Sequence, residues 1–282
     1  MSIFFNYNGK YYKGNEPVTG PDNRGLRYGD GLFETIRLRN GNLLFADDHL
    51  ARLWNGLKIL QFDLPRNFSP DSLEAEILAL AKKNEQLSHA RVRLNVFRGD
   101  GGLYDAKNHQ PDYLIQTWTL ADDNGLWNSN GLVLGIYEDV KKSCDILSNL
   151  KHNNYLPYVM AALKAKSEKW NDSIILNMHG RICDSSIANI FLVKDNIICT
   201  PALSEGCVAG IMRQQIIRFL KENNYSINEK LITIEEILNA DELFLTNSIY
   251  NLRWVKQLGN KNYSNSLTQQ LYADISHKLK WQ

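Results

Sequence analysis

The stretch LSNLKHNNYLPYVMAALKAK, residues 147–166, decides the reading of this chain. Before it runs an apolar, strand-like segment, LVLGIYED. After it comes a helical pattern, NYLPYVMAALKAKSEKW. Lys151 stands at the junction among Asn and His residues. Lys164, Lys166 and Lys169 have the helical spacing of solvated lysines, whose stems cover neighbours while the ammonium stays in water. Lys151 does not, so it is a candidate for chemistry. Further on, DSIILNMHGRICD, IANIFLVKDNIICT and DELFLTNS read as strands, and AGIMRQQIIRFLKEN reads as a helix between them.

The first half has the same mixture. FFNYNGKYY predicts a hairpin turning at Asn8-Gly9, and LFETIRLRNGNLLF predicts a second turning at Asn40-Gly41. Leu50, Leu53, Trp54, Leu57 and Leu60 recur at helical spacing, with Asp47 as the expected cap. SPDSLEAEILALAKKNEQL predicts a helix capped by Ser69 with Pro70 at its first position. ARVRLNVFRG alternates with period 2: Val92, Leu94 and Val96 face one way, Arg91, Arg93 and Asn95 the other. DYLIQTWTL continues as a strand, and the turn-rich ADDNGLWNSNG is the expected linker. Two strand-rich halves carrying helices imply an α+β chain of two domains, 1–120 and 121–282, with a site in the cleft between them.

Composition narrows the function. The 282 residues are 44% hydrophobic and 22% charged, as in an ordinary globular protein. A net charge of +1 without a basic run argues against nucleic acid as partner. No run of ~18 apolar residues suggests a membrane span, and MSIFFNYNGKYYKGN lacks the pattern of a signal peptide. Cys144, Cys183, Cys199 and Cys207 fit no Cys-x-x-Cys or Cys/His metal spacing and read as buried thiols of a reducing compartment, so the protein is expected in the cytoplasm. The six histidines make no metal motif.

Four further places draw notice. Gly206 and Gly210 precede a helix whose first N–H groups would attract an anion, though glycines before helices are common. Thr246-Asn247-Ser248 ends an apolar strand and suits either a phosphate or a turn. Asp184, beside Ser185 and Ser186, is either a buried acid or a turn former. Arg52, on an otherwise apolar helix, suits a phosphate or a solvated face. A lysine nucleophile, an anion cradle and a buried acid are together the parts that a pyridoxal phosphate site needs.

With those residues in view, the chain resembles the class IV, fold-type IV pyridoxal phosphate enzymes: branched-chain aminotransferases, D-amino acid aminotransferases and 4-amino-4-deoxychorismate lyases. The likeness runs through NRGLRYGDGLFETIR, HLARL, RGDGGLY, LKHNN, DSSIANIFLVKDNIICTPALSEGCVAGIMRQ and DELFLTNSI. It implies a small N-terminal domain, a larger C-terminal one, the cofactor in the cleft, and a homodimer acting on a small amino substrate. Residue by residue, it implies Lys151 as the Schiff-base lysine and Asn154 three positions after it. It gives Arg52, Ile211, Met212, Thr246 and Asn247 to the phosphate, and places Phe33 where the D-amino acid enzymes have an active-site tyrosine. Asp184 stands where the family has glutamate, and Asn23 lies in DNRG where DRG is commoner. RGDGGLY, from Arg98 to Tyr104, favours a lyase of folate synthesis. Lys107 and His109 echo the carboxylate trap of the D-amino acid transaminases and prompt the second reading, a branched-chain or D-amino acid transaminase that passes the amino group to 2-oxoglutarate. A cofactor-binding protein without turnover, prompted by Asp184, is the third.

Overall fold

The computed structural model describes residues 4–279, and every statement below concerns those residues. They form two compact units. The first runs to Asn124 and includes Lys151–Asn154; the second comprises Gly125–Leu150 and the chain from Tyr155 onward. The expected boundary at 120/121 thus lies inside the first unit, and the lysine segment is counted with the N-terminal half.

In the first unit the strands are β1 (Phe4–Tyr7), β2 (Lys10–Lys13), β3 (Gly31–Arg39), β4 (Asn42–Leu43), β5 (His89–Arg98) and β6 (Pro111–Thr119). Its helices are α1 (Arg24–Tyr28), α2 (Ala46–Ile59) and α3 (Pro70–Lys83). The strands make one antiparallel sheet in the order β2-β1-β6-β5-β3-β4. Both Asn-Gly turns close hairpins because each pair takes positive φ, 49° and 81° at Asn8-Gly9 and 49° and 75° at Asn40-Gly41. Val92, Leu94 and Val96 are fully buried, so the period-2 reading of β5 holds. Ile36, Leu38, Leu53, Leu57, Leu73, Ile77 and Leu80 are likewise buried in this unit, each worth ~1.5–3 kcal/mol when withdrawn from water.

Ser69 caps α3 by accepting from Ser72 N at 3.2 Å, with Pro70 in the first turn. Asp47 does not cap α2. The helix begins one residue earlier, its N-cap is Phe45 with no side-chain bond, and Asp47 and Asp48 sit in the first turn, where they complement the helix dipole. Asn23, the departure in DNRG, caps α1 by accepting from Leu26 N at 2.9 Å.

The second unit has β7 (Leu132–Lys142), β8 (Asp172–Asn177), β9 (Ile182–Ser185), β10 (Asn189–Lys194), β11 (Ile197–Pro201), β12 (Ile227–Lys230), β13 (Glu242–Asn247), β14 (Asn251–Leu258) and β15 (Lys261–Asn262). Its helices are α4 (Leu156–Ser167), α5 (Ile211–Glu222), α6 (Ile234–Asn239) and α7 (Ser266–Leu279). The strands run β12-β11-β10-β13-β14-β7-β8-β9, with β15 beside β14, in a mixed sheet. Leu134, Ile174, Ile190, Leu243 and Val255 fill one core. Tyr137, Tyr158, Ala161, Ile175 and Val208 form another, which packs α4 against β7 and β8.

Candidate active site

In the first unit, the lysine segment is tied to the start of β3. Phe33 N donates to Lys151 O and Asn153 N donates to Gly31 O, both at 2.9 Å. The approach requires glycine: a Cβ on Gly31 would fall 2.8 Å from Asn153 Nδ2 of the lysine segment and 2.2 Å from Val96 O of the neighbouring strand. Lys151 Nζ consequently lies 4.5 Å from the centre of the Phe33 ring. The Arg93 guanidinium lies 4.0 Å over the same ring. Two cations thus share one aromatic ring, and Phe33 is the residue that brings them together. Asn154 is exposed.

Beside them, on the same strand, Glu34 is buried with 1% exposure. Arg52 grips it with both arms, Nε to Oε1 at 2.8 Å and Nη2 to Oε2 at 2.5 Å. His49, one turn earlier on α2, meets Oε2 through Nδ1 at 2.7 Å. Burial pushes the Glu34 carboxyl up, but Arg52 and His49 outweigh it and hold the group down to about 2. Burial lowers His49, helped by the charges of Arg52 and Lys151. The imidazole is therefore neutral. A carboxylate only accepts, so the hydrogen is on Nδ1 and Nε2 carries the lone pair.

Arg98 has a different place from the one the sequence suggests. Its Nε donates to Asp30 at 3.1 Å, Nη1 to Gln61 O and His109 Nδ1 at 3.1 Å each, and Nη2 to Leu60 O. Arg24 holds Asp30 from the other side at 2.9 Å and binds the carbonyls of Gly101, Leu103 and Tyr104. The arginines thus pin the loop 99–109. Tyr104 and Lys107 point to solvent, Tyr104 with 91% exposure. Arg24, Glu34, His49 and Arg93 escaped the sequence reading; the bidentate Arg–carboxylate geometry has no local spacing that would reveal it.

In the second unit, Asp184 on β9 has 2% exposure and four donors. Asn189 Nδ2 reaches Oδ1 at 2.8 Å. Oδ2 accepts from Val208 N at 2.9 Å, Tyr158 OH at 3.0 Å and Lys142 Nζ at 3.2 Å. This is a buried acid and no turn former. Burial pushes its carboxyl up, opposed by Lys142 and the N–H and O–H donors. Asn189 pairs in register with Thr246 at the end of β13. Thr246 is buried, and its Oγ1 has no partner among the described residues. Gly210 caps α5 without any side-chain bond. A Cβ there would fall 1.9 Å from Asn189 Oδ1, so only glycine lets this helix start come so near. The N-terminus of α5, with Ile211 and Met212 buried, therefore stands by Asn189 and Thr246. An uncapped helix start beside an orphaned hydroxyl suits a phosphate. Asn247 is a turn residue: its Oδ1 accepts from Ile249 N at 3.0 Å and Tyr250 N at 2.8 Å.

Among the described residues, no cluster of His, Cys, Asp or Glu is placed to hold a metal, and no helix is long and apolar enough to cross a membrane.

Two α+β units with these sheets have the fold of the fold-type IV pyridoxal phosphate enzymes. The family model described as amino-transferase class IV matches residues 31–258, and the chain belongs to that family. An aminodeoxychorismate lyase of Vibrio harveyi is 29% identical over 230 residues, 80% of this chain and 82% of the relative. A D-alanine aminotransferase of Bacillus licheniformis is 28% identical over 263 residues, 88% and 85% of the two chains. In structure, the branched-chain aminotransferase of the thermophilic archaeon Thermoproteus uzoniensis with norvaline superposes with a TM-score of 0.87 at 22% identity, covering 99% of this chain and 95% of the other, a likeness of fold.

Proposed function

We propose that this protein is a 4-amino-4-deoxychorismate lyase, which splits its substrate into 4-aminobenzoate and pyruvate in folate synthesis. The observation that carries this over an amino acid transaminase is the state of Lys107 and His109. As a carboxylate trap, both would have to offer donors to one substrate. Instead Arg98 takes His109 Nδ1, which leaves Nε2–H as the ring's one donor, and Lys107 lies exposed in the loop that Arg24 and Arg98 pin. The likeness to the Vibrio harveyi lyase supports the same reading.

The residues of this chain fit the cofactor. The unpartnered Thr246 hydroxyl and the first N–H groups of α5, at Ile211 and Met212, would hold its phosphate, with Asn247 shaping the turn beside them. Arg52 would add a guanidinium, kept in one rotamer by Glu34. Asp184 would hold a proton on the ring nitrogen, and Lys151 would carry the reactive amine, with Asn154 following it. When bound, pyridoxal phosphate supplies an electron sink for charge developed at the carbon bearing the substrate amine.

The chemistry that remains belongs to Lys151. Its amine removes the proton from ring carbon 4 of the substrate, the carbon that bears the nitrogen. The enolpyruvyl group leaves carbon 3, and the new double bond completes the aromatic ring, which makes the step downhill. Lys151 returns the proton to the methylene carbon of the departing enol, giving pyruvate. The Arg93 guanidinium, over the Phe33 ring near Lys151, is placed to attract a substrate carboxylate. We also read the protein as a cytoplasmic homodimer. The exposed stripe Leu156, Val159, Met160 and Leu163 on α4 is the face offered to a second copy.

The test is an incubation of the holoenzyme with 4-amino-4-deoxychorismate and no keto acid. Fluorescence reports 4-aminobenzoate, and lactate dehydrogenase reports pyruvate; both should form in equal amounts. Steady conversion of a D-amino or branched-chain acid with 2-oxoglutarate, and no 4-aminobenzoate, would replace the lyase by the transaminase.

A further inference from the structure

Lys142 has no part in the reaction as written, yet it is buried against the carboxylate on which that reaction depends. It ends β7 with 7% exposure. Its Nζ donates to Asp184 Oδ2 at 3.2 Å, to Tyr158 OH, and to Ser148 O at 3.4 Å. The ammonium also lies 4.8 Å from the centre of the Tyr158 ring. A buried ammonium resists charging, but the Asp184 carboxylate outweighs that cost and holds Lys142 above the ordinary lysine value. The other titratable groups nearby stay neutral: burial pushes the Cys183 and Cys207 thiols and the Tyr158 phenol upward. Among the described residues, Lys142 is thus the charged partner within hydrogen-bond reach of Asp184.

We propose that Lys142 is a positioning residue that sets how firmly Asp184 holds a proton on the cofactor's ring nitrogen. The inference rests on the proposed function. A lone buried carboxylate beside a pyridine nitrogen favours the pyridinium by charge attraction, which is strong where water is excluded. An ammonium already bonded to that carboxylate cancels much of this field. Lys142, Tyr158 and Val208 also crowd Oδ2 with three donors, whereas Oδ1 has only Asn189. With Oδ2 so occupied, Oδ1 is the oxygen that Asp184 would offer a bound ring, with its charge already shared. The ring nitrogen would then be left partly unprotonated at neutral pH, a weaker electron sink than an unpaired acid would give.

This also gives a physical sense to aspartate where the family has glutamate. The shorter side chain keeps the carboxylate inside the Lys142–Tyr158–Asn189 cluster, close to β7, α4 and β10, which supply those donors.

The experiment loads the apoenzyme with pyridoxal phosphate labelled with 15N in the ring and reads that nitrogen's resonance at neutral pH. The wild-type resonance should lie between the neutral and the pyridinium limits. Lys142→Met should move it toward the pyridinium limit, and Lys142→Gln, which keeps a donor but no charge, should move it the same way. Lys142→Arg should leave it near the wild-type position. A merely structural lysine would lower the unfolding midpoint of the neutral variants and leave the resonance still. That result overturns the inference, and so does failure of both neutral variants to take up the cofactor. A wild-type protein that takes up no pyridoxal phosphate at all would instead overturn the proposed function.

Discussion

Glu34→Gln should destabilise the protein by about 3 kcal/mol at pH 7, and the gap should close in acid. Glu34 is held down from its ordinary 4.5 to about 2 by Arg52 and His49. At ~1.4 kcal/mol per pH unit, that drop amounts to about 3 kcal/mol. Breaking a buried ion pair costs ~3–5 kcal/mol on other grounds. Glutamine keeps the shape and one acceptor, so the lower end applies. The sign follows from the depressed carboxyl: its contribution is complete above pH 4.5 and is lost as pH falls toward 2. The variant has no such group, so the two proteins should converge over that range. Urea unfolding between pH 7 and pH 2.5 measures the gap, and hydrogen exchange of the α2 amides reports it locally. A variant within ~0.5 kcal/mol of wild type at pH 7, the scatter of an ordinary surface change, would refute the role of the Glu34–Arg52–His49 cluster. So would a gap that stays constant through the acid range.

Borohydride treatment of the holoenzyme should fix the cofactor to Lys151; peptide mapping that finds the label on another lysine removes the central assignment. Thr246→Val should weaken cofactor binding about tenfold, the worth of one hydrogen bond to a charged group, while the unfolding midpoint of the apoenzyme stays put or rises, because the hydroxyl it deletes is buried without a partner among the described residues. Arg52→Ala confounds binding with folding, since it strips Glu34 of its cation. Arg52→Lys keeps the charge and loses the fork, so the cofactor dissociation constant should rise about tenfold; an unchanged constant would separate Arg52 from the phosphate. Asp184→Asn should slow the proton removal at least about tenfold through the weaker electron sink, and Asp184→Glu should retain or raise activity; normal turnover by the Asn variant would leave Asp184 a packing residue.

What the sequence alone determined are the features whose causes lie within a turn or two of chain. Asn8-Gly9 and Asn40-Gly41 make hairpins because asparagine and glycine accept positive φ. Ser69-Pro70 starts a helix because serine caps it and proline needs no N–H there. Val92, Leu94 and Val96 alternate inward because strand side chains alternate. Lys151 stands apart in the sequence because its neighbours are wrong for a solvated lysine, although its role is not a local matter. The tertiary structure alone decided which charges meet. Glu34 and Arg52 are 18 positions apart, Lys142 and Asp184 42 apart, and Arg24 reaches Tyr104 across 80. In the sequence Lys142 is one of two lysines in a charged run, and Arg98 is one charge before a glycine loop; each has the composition of a solvated surface. A charge is buried only when folding delivers a partner to it, because water otherwise holds it more strongly than the protein interior can. The same dependence on distant partners left Asp184 either a turn former or an acid until Tyr158, Asn189 and Val208 were seen to surround it.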